Sequence, residues 1–554
     1  MASKLPTKLN TDNSFAYKAA VCFIISIGIF LRLYHFFYNR SLWEDEIYLS
    51  SGIIKHTFKD IFTQPLPYLQ KAPLGYLIFD KLGVMVLGAT EKGLRFYPLL
   101  CGIASLFVFV PVSKYLLKPA GQILAIAVLS FAPPLIYHSA EAKPYIAELL
   151  ASLIIIWWYI KYRYETSLSK LVLWGLGGAV IVWFCYSAIF VLAATGMAIA
   201  IPYLKKKNWK VILSLSIPAI MWIVSFIISY FLYAKDGSNS DWLVNYWAKV
   251  MAGYMPHQPA AAVVWLMHRL FSFFDYPLGL SWLNDWREHN VIKQVLTRLA
   301  FVPLILFITG IIYFYKNNRS FLMLVGIMFL IAVTASALKL YPMDERLTTY
   351  LSPFGILLFG AGFQFFLQEN KFVKIIGYVL AAILVVSPLK VAFSQVINPN
   401  LFGAMKKSYQ REALFYLNDR YQPGDMVYVY RNDIPGYLLY KKLDSLKYTA
   451  IIGNDYRNSS NSFNEYFSKL ENDIIPFKGK KRVWIIYGTY VDWPVGEWGH
   501  DPIWYYINKD QGEGVKLFKK WILSKATEKE CYQPGGIEPV DDIHVCLLDF
   551  SSFH

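Results

Sequence analysis

Long apolar runs recur along the chain as far as residue 392, with short polar segments between them. Each run has roughly 17 to 25 residues, which lets an α-helix cross a hydrocarbon layer about 30 Å thick. The stretch 170–204 exceeds one helix, so we place a break at Cys185-Tyr186-Ser187. The pattern predicts an all-α polytopic membrane domain over residues 1–392. The predicted spans, about eleven in number, are 16–37, 96–117, 121–138, 145–161, 170–185, 187–204, 210–234, 298–315, 320–338, 347–368 and 373–392.

Residues 393–554 have a different character. They are more polar, and short apolar runs such as Met426–Tyr430 and Val483–Tyr487 lie between turns rich in Pro, Gly and Asn. Helical patterns such as Arg411–Tyr421 alternate with these strand-like runs. A segment of about 160 residues is long enough to form its own core. We therefore predict a C-terminal α/β domain.

Lys and Arg residues collect in alternate connections between the predicted spans, and the positive-inside rule makes those connections cytoplasmic. The N-terminus, Met1–Asn13, lies on the same side and leads into the first span without a small-residue cleavage site. The extracytoplasmic side then carries the loops 38–95 and 235–297, the turns 138–144 and 339–346, and the C-terminal domain. We expect a multi-pass protein of the inner or plasma membrane.

Composition supports this class of protein. Hydrophobic residues make up 56% of the 554 residues and charged residues 17%, against about a quarter charged in soluble chains. The formal charge of +16 follows from the cationic loops, and no basic-aromatic patch indicates nucleic-acid binding. The five cysteines lack metal-type spacing. Cys531 and Cys546 lie on the predicted oxidising side, which permits a disulfide without requiring it.

Three consecutive carboxylates, Glu44-Asp45-Glu46, follow Trp43 just after the first predicted span. Flanking charge at a membrane interface is the simpler interpretation for such a run. On the outer face, however, these acids are suited to deprotonating an acceptor or holding a metal. The same loop contains Lys71 on a turn made by Pro73 and Gly75, where a lysine meets a phosphate as a compact charge. Alone, Lys71 is equally an ordinary solvated lysine.

Two further outer segments combine acids, cations and aromatic residues. The turn at 138–144 contains His138, Glu141 and Lys143, and Pro144 suits the first position of the next helix. The other segment ends in Asp344-Glu345-Arg346, and the forked donors of Arg346 suit a phosphate. An interfacial histidine and an acidic helix start are the simpler alternatives.

The predicted spans carry almost no charge near their centres, whereas these polar segments gather on one face. Secondary transporters usually place ionisable residues near mid-membrane. The distribution therefore favours an enzyme acting at the interface over a carrier. The 17 Trp and 40 Tyr residues also suit a lipid–water boundary and stacking on sugars.

Three segments, in this order along the chain, resemble those of the GT-C superfamily of membrane glycosyltransferases: Arg40-Ser41-Leu42-Trp43-Glu44-Asp45-Glu46, Lys71-Ala72-Pro73-Leu74-Gly75-Tyr76 and Ser139-Ala140-Glu141-Ala142-Lys143-Pro144-Tyr145. The resemblance covers about residues 15–390 and is greatest to bacterial relatives of protein O-mannosyltransferases and of the lipid A aminoarabinose transferase. It implies a polyprenyl-phosphate-linked sugar as donor, used on the extracytoplasmic face with inversion at the anomeric carbon. It also implies that Asp45 is the catalytic base, Glu46 its acidic neighbour and Lys71 a contact to the donor phosphate.

The chain departs from the family pattern at three positions. Ala72 replaces the first of two prolines, Gln70 replaces an acid, and Lys143 stands where relatives commonly have Arg. A metal is therefore permitted but not required. The candidate site residues are Asp45, Glu46 and Glu141 for catalysis, Lys71, Lys143 and Arg346 for the donor phosphate, and Trp43, Tyr76, His138, Tyr145 and Tyr350 as substrate-lining residues.

We therefore expect an inverting glycosyltransferase whose acceptor is a protein, a lipid or a glycan. The alternatives are a flippase or transporter of lipid-linked glycans and a structural membrane subunit that recruits partners through residues 393–554. Neither the sugar, the acceptor nor the polyprenyl length follows from the sequence.

Overall fold

The computed structural model describes residues 15–234, 241–282, 298–403, 406–488, 502–506, 513–533 and 543–553. The predicted cytoplasmic segment Met1–Asn13 and parts of the loop 235–297 lie outside the described residues. Helices up to residue 397 are α1 (Phe15–Tyr38), α2 (Glu44–Lys55), α3 (Phe58–Thr63), α4 (Leu74–Leu87), α5 (Glu91–Leu116), α6 (Pro119–Phe131), α7 (Pro133–His138), α8 (Tyr145–Tyr162), α9 (Leu168–Ile181), α10 (Ala188–Lys205), α11 (Trp209–Ser229), α12 (Asp241–Asn245), α13 (Pro259–Asp275), α14 (Phe301–Asn317), α15 (Arg319–Ala337), α16 (Ser352–Leu367) and α17 (Lys371–Ile397).

The helices confirm a polytopic membrane protein. Among the described residues, eight helices are long and apolar enough to cross a membrane, and three shorter apolar helices (α6, α9 and α14) occupy the places of the other predicted spans. The chain breaks at Cys185-Tyr186-Ser187 as predicted, between α9 and α10. Another predicted span, 121–138, is divided at Ala132, because Pro133 cannot continue α6 and instead begins α7. The boundary at residue 392 stays a prediction, and α17 continues past it to Ile397.

The predicted outer loop 38–95 is largely helical. It folds into α2, α3, the 3-10 turn Pro67–Leu69 and α4. Ile47, Leu49 and Leu77 of this region are buried in one hydrophobic core with residues of the C-terminal domain. The loop is ordered because both domains cover its apolar side.

Glycines allow the central helix α16 to lie very close to its neighbours. A Cβ added at Gly362 would lie 1.9 Å from the Leu306 carbonyl oxygen, and one at Gly310 would lie 2.0 Å from that of Leu358. On the other side of α16, a Cβ at Gly360 would lie 2.6 Å from the Gly121 oxygen. Small residues at membrane helix contacts permit such approaches. The centre of the bundle therefore depends on them.

The C-terminal domain is α/β, as predicted. Its described strands are β1 (Met426–Val429), β2 (Ile451–Ile452), β3 (Val483–Gly488), β4 (Thr527–Cys531) and β5 (Ile543–Asp549); its described helices are α18 (Gln410–Arg420), α19 (Ile434–Leu443), α20 (Phe463–Ile474), α21 (Ile503–Tyr506) and α22 (Glu513–Leu523). These five strands, in the order β2-β1-β3-β5-β4, form one sheet in which β1 pairs in parallel with β2 and β3, and β5 pairs antiparallel with β3 and β4. A disulfide joins Cys531 to Cys546 across β4 and β5, which settles the pairing that the sequence left open.

The close approach at Gly362 predicts that one added methyl group at this position destabilises the protein. Gly362→Ala should lower the apparent melting temperature in detergent, because overpacking costs about 1–3 kcal/mol. Gly326→Ala in α15 is the matched control, since nothing lies within 4 Å of its added Cβ. Equal melting temperatures for both variants would contradict the packing described for α16.

Candidate active site

Three polar segments meet at the end of the bundle that carries the C-terminal domain. They are the start of α2, the turn 139–144 between α7 and α8, and the 3-10 segment Glu345–Leu351 that precedes α16. The sequence placed these segments on one face, and the structure brings their side chains into contact. We call this cluster the polar site.

Asp45 forms an ion pair with Arg346 at the centre of the polar site. The Asp45 Oδ2 and Arg346 Nη2 atoms are 2.9 Å apart, and the Asp45 side chain keeps 24% of its surface exposed. Burial raises the pKa of Asp45, but Lys143 and Arg346 outweigh this effect and hold that pKa below its usual value. Asp45 is therefore an ionised and partly accessible carboxylate at neutral pH.

Aromatic rings surround the Arg346 guanidinium. Its carbon lies 5.6 Å from the ring centroids of Trp43 and Tyr145 and 6.0 Å from that of Trp247. Trp247 comes from the π-helical turn Tyr246–Val250 and was not predicted from the sequence, because one tryptophan in an aromatic-rich loop carries no distinguishing signal. The rings hold the cation in place and provide flat apolar surfaces beside Asp45.

Glu46 is fully buried and already bonded. Both of its oxygens accept from Arg95 at 2.9 Å, Arg40 lies 2.8 Å away, and the Ala142 backbone N–H donates at 2.8 Å. Burial raises the pKa of Glu46, but Arg40 and Arg95 outweigh burial and lower it. This placement favours a structural part for Glu46, and its predicted catalytic part stays a prediction. Arg95 was missed, although an arginine at the start of an apolar run is an informative signal.

His138 and Glu141 belong to one hydrogen-bonded chain. His138 Nδ1 lies 2.6 Å from Glu141 Oε2, and the Tyr276 hydroxyl lies 2.6 Å from His138 Nε2. Trp43 Nε1 donates to the other Glu141 oxygen at 3.1 Å. Burial raises the pKa of Glu141, but the adjoining His138 and nearby cations outweigh it and lower it to about 2. An ionised Glu141 and a neutral His138 satisfy every contact in this chain.

Lys143 lies in the same cluster, close to Asp45 and Glu141. Lys143 donates to Gln70 Oε1 at 2.9 Å. Burial lowers the pKa of Lys143. Lys71 follows Gln70 and is half-buried. Within the described part of the chain, the Lys71 ammonium has neither a hydrogen bond nor an ion pair.

Tyr76 and Tyr350, predicted as lining residues, are enclosed by packing. Tyr76 has no exposed surface and Tyr350 has 1%. Tyr350 lies against Phe190 and Tyr341. Their contact with a substrate stays a prediction.

Lys406 is a further cation at the polar site. It comes from the linker between α17 and α18, and its Nζ lies 3.1 Å from Glu345 Oε2 and 4.1 Å from the Tyr276 ring centroid. It lowers the pKa of Asp45 and of Glu141. Sequence reasoning missed Lys406 because it lies far along the chain, in a segment without a motif.

The polar site suits an anion better than a divalent cation. Its carboxylates are already paired: Asp45 with Arg346, Glu141 with His138, and Glu345 with Lys406. Divalent hard cations prefer several free oxygen ligands, whereas Lys143, Arg346 and Lys406 together suit a phosphate. Among the described residues, the one close grouping of three metal-type donors is Glu528 with Cys531 and Cys546, whose sulfurs form the disulfide.

No family model and no curated protein sequence matches the chain. Among solved structures, ArnT from Cupriavidus metallidurans in the apo state is similar over 97% of this chain and 99% of its own, at 10% identity and a TM-score of 0.51. ArnT from the same organism bound to undecaprenyl phosphate is similar over 96% of this chain and 97% of its own, at 10% identity and a TM-score of 0.47. A third structure is that of archaeal oligosaccharyltransferase AglB from Archaeoglobus fulgidus in complex with an inhibitory peptide and a dolichol-phosphate. It is similar over 86% of this chain and 69% of its own, at 11% identity and a TM-score of 0.48.

Only the apo ArnT structure among these three exceeds a TM-score of 0.5, and its likeness establishes the fold alone. It extends over nearly the whole of both chains, including the C-terminal domain. The predicted architecture, a helical membrane domain followed by an α/β domain, is confirmed.

The buried Glu46–Arg95 pair predicts an asymmetric response to mutation. Arg95→Met should destabilise the protein by about 3–5 kcal/mol, because it removes the forked partner of a buried carboxylate. Arg40→Met should destabilise the protein less, because Glu46 then keeps both hydrogen bonds from Arg95. Chemical or thermal denaturation in detergent measures both variants. An Arg40→Met variant less stable than Arg95→Met would contradict this account.

Proposed function

We propose that this protein is an inverting glycosyltransferase that moves a sugar from a polyprenyl-phosphate donor to a protein, lipid or glycan acceptor. The observation that carries the proposal is the partly exposed Asp45 carboxylate in contact with Arg346, among aromatic rings and further cations. Inverting transfer needs a base on the acceptor hydroxyl and a stabilised leaving group. One cluster contains residues for both tasks, within a fold of the GT-C type.

Asp45 is the proposed base. Glu46 and Glu141 have no exposed surface, and their oxygens are taken by partners. A low pKa makes a carboxylate a weak base, and Arg346 contributes to the low pKa of Asp45. A donor phosphate that draws Arg346 toward itself would weaken this ion pair and raise the pKa of Asp45. Donor binding would thereby prepare the base.

The proposed leaving group is a lipid phosphate, which departs as an anion. Lys71, Lys143, Arg346 and Lys406 are suited to stabilise the charge that develops on it, so no general acid is required. Trp43, Tyr145 and Trp247 are suited to stack on the sugar beside Asp45. Of the four cations, Arg346 supplies forked donors for two phosphate oxygens.

The proposed reaction takes place on the extracytoplasmic side of the inner or plasma membrane. The distribution of Lys and Arg supports this orientation, since it places the polar site and the C-terminal domain on the side opposite the cationic loops. No observation favours the flippase alternative. The polar site lies at one end of the bundle, which suits chemistry at the interface.

The proposed base predicts that Asp45→Asn abolishes transfer without loss of folding. In a deletion strain carrying the variant, mass spectrometry should find the lipid-linked sugar unspent and the surface glycan or lipid unmodified. Glu44→Gln is the matched control, because the neighbouring carboxylate is bonded to Tyr48 and should be dispensable. Normal modification by Asp45→Asn would exclude Asp45 as the base.

The proposed phosphate contacts predict weaker binding of the lipid carrier. Arg346→Gln and Lys406→Gln should each lower affinity for polyprenyl phosphate roughly tenfold, because each removes a charge-assisted contact of about 1.5 kcal/mol or more. Native mass spectrometry or a ligand-dependent thermal shift of the detergent-purified protein measures the affinity. Lys249→Gln, at an exposed cation near Trp247, is the control. Unchanged affinity for Arg346→Gln would remove it as a phosphate contact.

A further inference from the structure

Tyr440 reaches from the C-terminal domain into the segment 39–43 that leads to Asp45. It lies in α19 and is 1% exposed. Its hydroxyl accepts from the Leu42 backbone N–H at 2.8 Å, lies 3.1 Å from Ser41 Oγ, and donates to Glu91 Oε1 at 2.6 Å. A single side chain thus bonds the segment 39–43 and the start of α5 at the same time.

A second residue of the C-terminal domain adds to this contact. The Arg411 backbone N–H donates to Ser41 Oγ at 3.1 Å, and its guanidinium pairs with Glu91. The other Glu91 contacts include Asn39 Nδ2 at 2.7 Å. Glu91 therefore joins Tyr440 and Arg411 to the first residue of the segment.

The membrane domain also holds the same segment. Arg95 donates to the carbonyl oxygens of Arg40, at 2.5 Å, and Ser41, at 3.2 Å, while its other donors bind Glu46. The segment is consequently fixed between two domains. A change on either side is transmitted directly to the start of α2.

The position of Asp45 depends on this segment. Trp43 is the residue at which the chain enters α2, and Asp45 lies in the first helical turn. Few rotatable bonds separate Leu42 from the Asp45 carboxylate, so a shift of the Leu42 backbone displaces both Trp43 and Asp45. A displacement of about 1 Å is enough to reduce a reaction rate about 100-fold when geometry is demanding.

We propose that Tyr440 is a positioning residue, through which the C-terminal domain orients the segment carrying the proposed base. The inference rests on the proposed function and adds to it a task for the C-terminal domain: the domain completes the geometry of the polar site. It thereby differs from a domain whose part is to bind the acceptor.

The test compares two tyrosines of the same helix. Tyr440→Phe removes the hydroxyl that bonds Leu42. Tyr437→Phe is the matched control, since Tyr437 is also 1% exposed and its hydroxyl accepts a backbone N–H, that of Ala450 at 2.8 Å, within the C-terminal domain itself. Both variants should lose thermal stability, and Tyr440→Phe should lose more, because the Tyr440 hydroxyl has three described polar contacts and the Tyr437 hydroxyl has one. Only Tyr440→Phe should affect the polar site.

Two readouts separate this inference from the proposed function. Hydrogen–deuterium exchange of the purified full-length protein needs no substrate, and residues 39–46 should exchange faster in Tyr440→Phe alone. Transfer is then measured with membranes of a deletion strain as the source of donor and acceptor, diluted to vary their concentration. Tyr440→Phe should lower kcat about tenfold or more with little change in KM, and Tyr437→Phe should change neither.

Unchanged exchange of residues 39–46 in Tyr440→Phe would overturn the inference even if the proposed function holds. An equal loss of kcat in Tyr437→Phe, or a raised KM for the acceptor with kcat unchanged, would also overturn it. If the unmodified protein transfers no sugar, the proposed function fails, and the exchange result still decides whether Tyr440 orders the segment.

Discussion

The buried ion pair of Glu46 and Arg95 is the interaction on which the polar site depends. Glu46 comes from α2 and Arg95 from α5, and the pair also bonds Arg40 and the Ala142 backbone. Three other parts of the chain, α5, the segment 39–43 and the turn 139–144, are therefore bound to one carboxylate of α2. A buried ion pair of this kind stabilises little in net terms. The pair matters here because it holds α2, α5 and the turn 139–144 in a fixed relative position.

In the polar site around that pair, the acids that hold the chain in place differ from Asp45, the proposed base. Glu46 and Glu141 are buried and fully bonded, whereas Asp45 stays partly exposed beside Arg346. The buried acids hold Trp43 and the turn 139–144 in place through their hydrogen bonds. Acids that are neighbours along the chain consequently meet different environments, because successive residues of a helical turn point in different directions.

The C-terminal domain also contacts the polar site and the segment that leads to it. Its residues share a hydrophobic core with α2 and α4, and Lys406, Arg411 and Tyr440 add polar contacts at or near the polar site. Apolar contacts stabilise an interface without fixing its orientation, whereas hydrogen bonds to a backbone N–H do fix the orientation. The two kinds of contact together connect the domain to the segment that precedes Asp45.

The sequence alone determined the membrane class, the helical spans, the α/β character of the tail and the three segments that meet at the polar site. These follow from apolar length, period and local residue type, which are local properties of the chain. It did not distinguish the exposed Asp45 from the buried Glu46 by any pattern, and only the resemblance to a family favoured Asp45. The partners Arg95, Tyr276 and Lys406 lie far from the acids in sequence, so only the tertiary structure decided which cation meets which carboxylate.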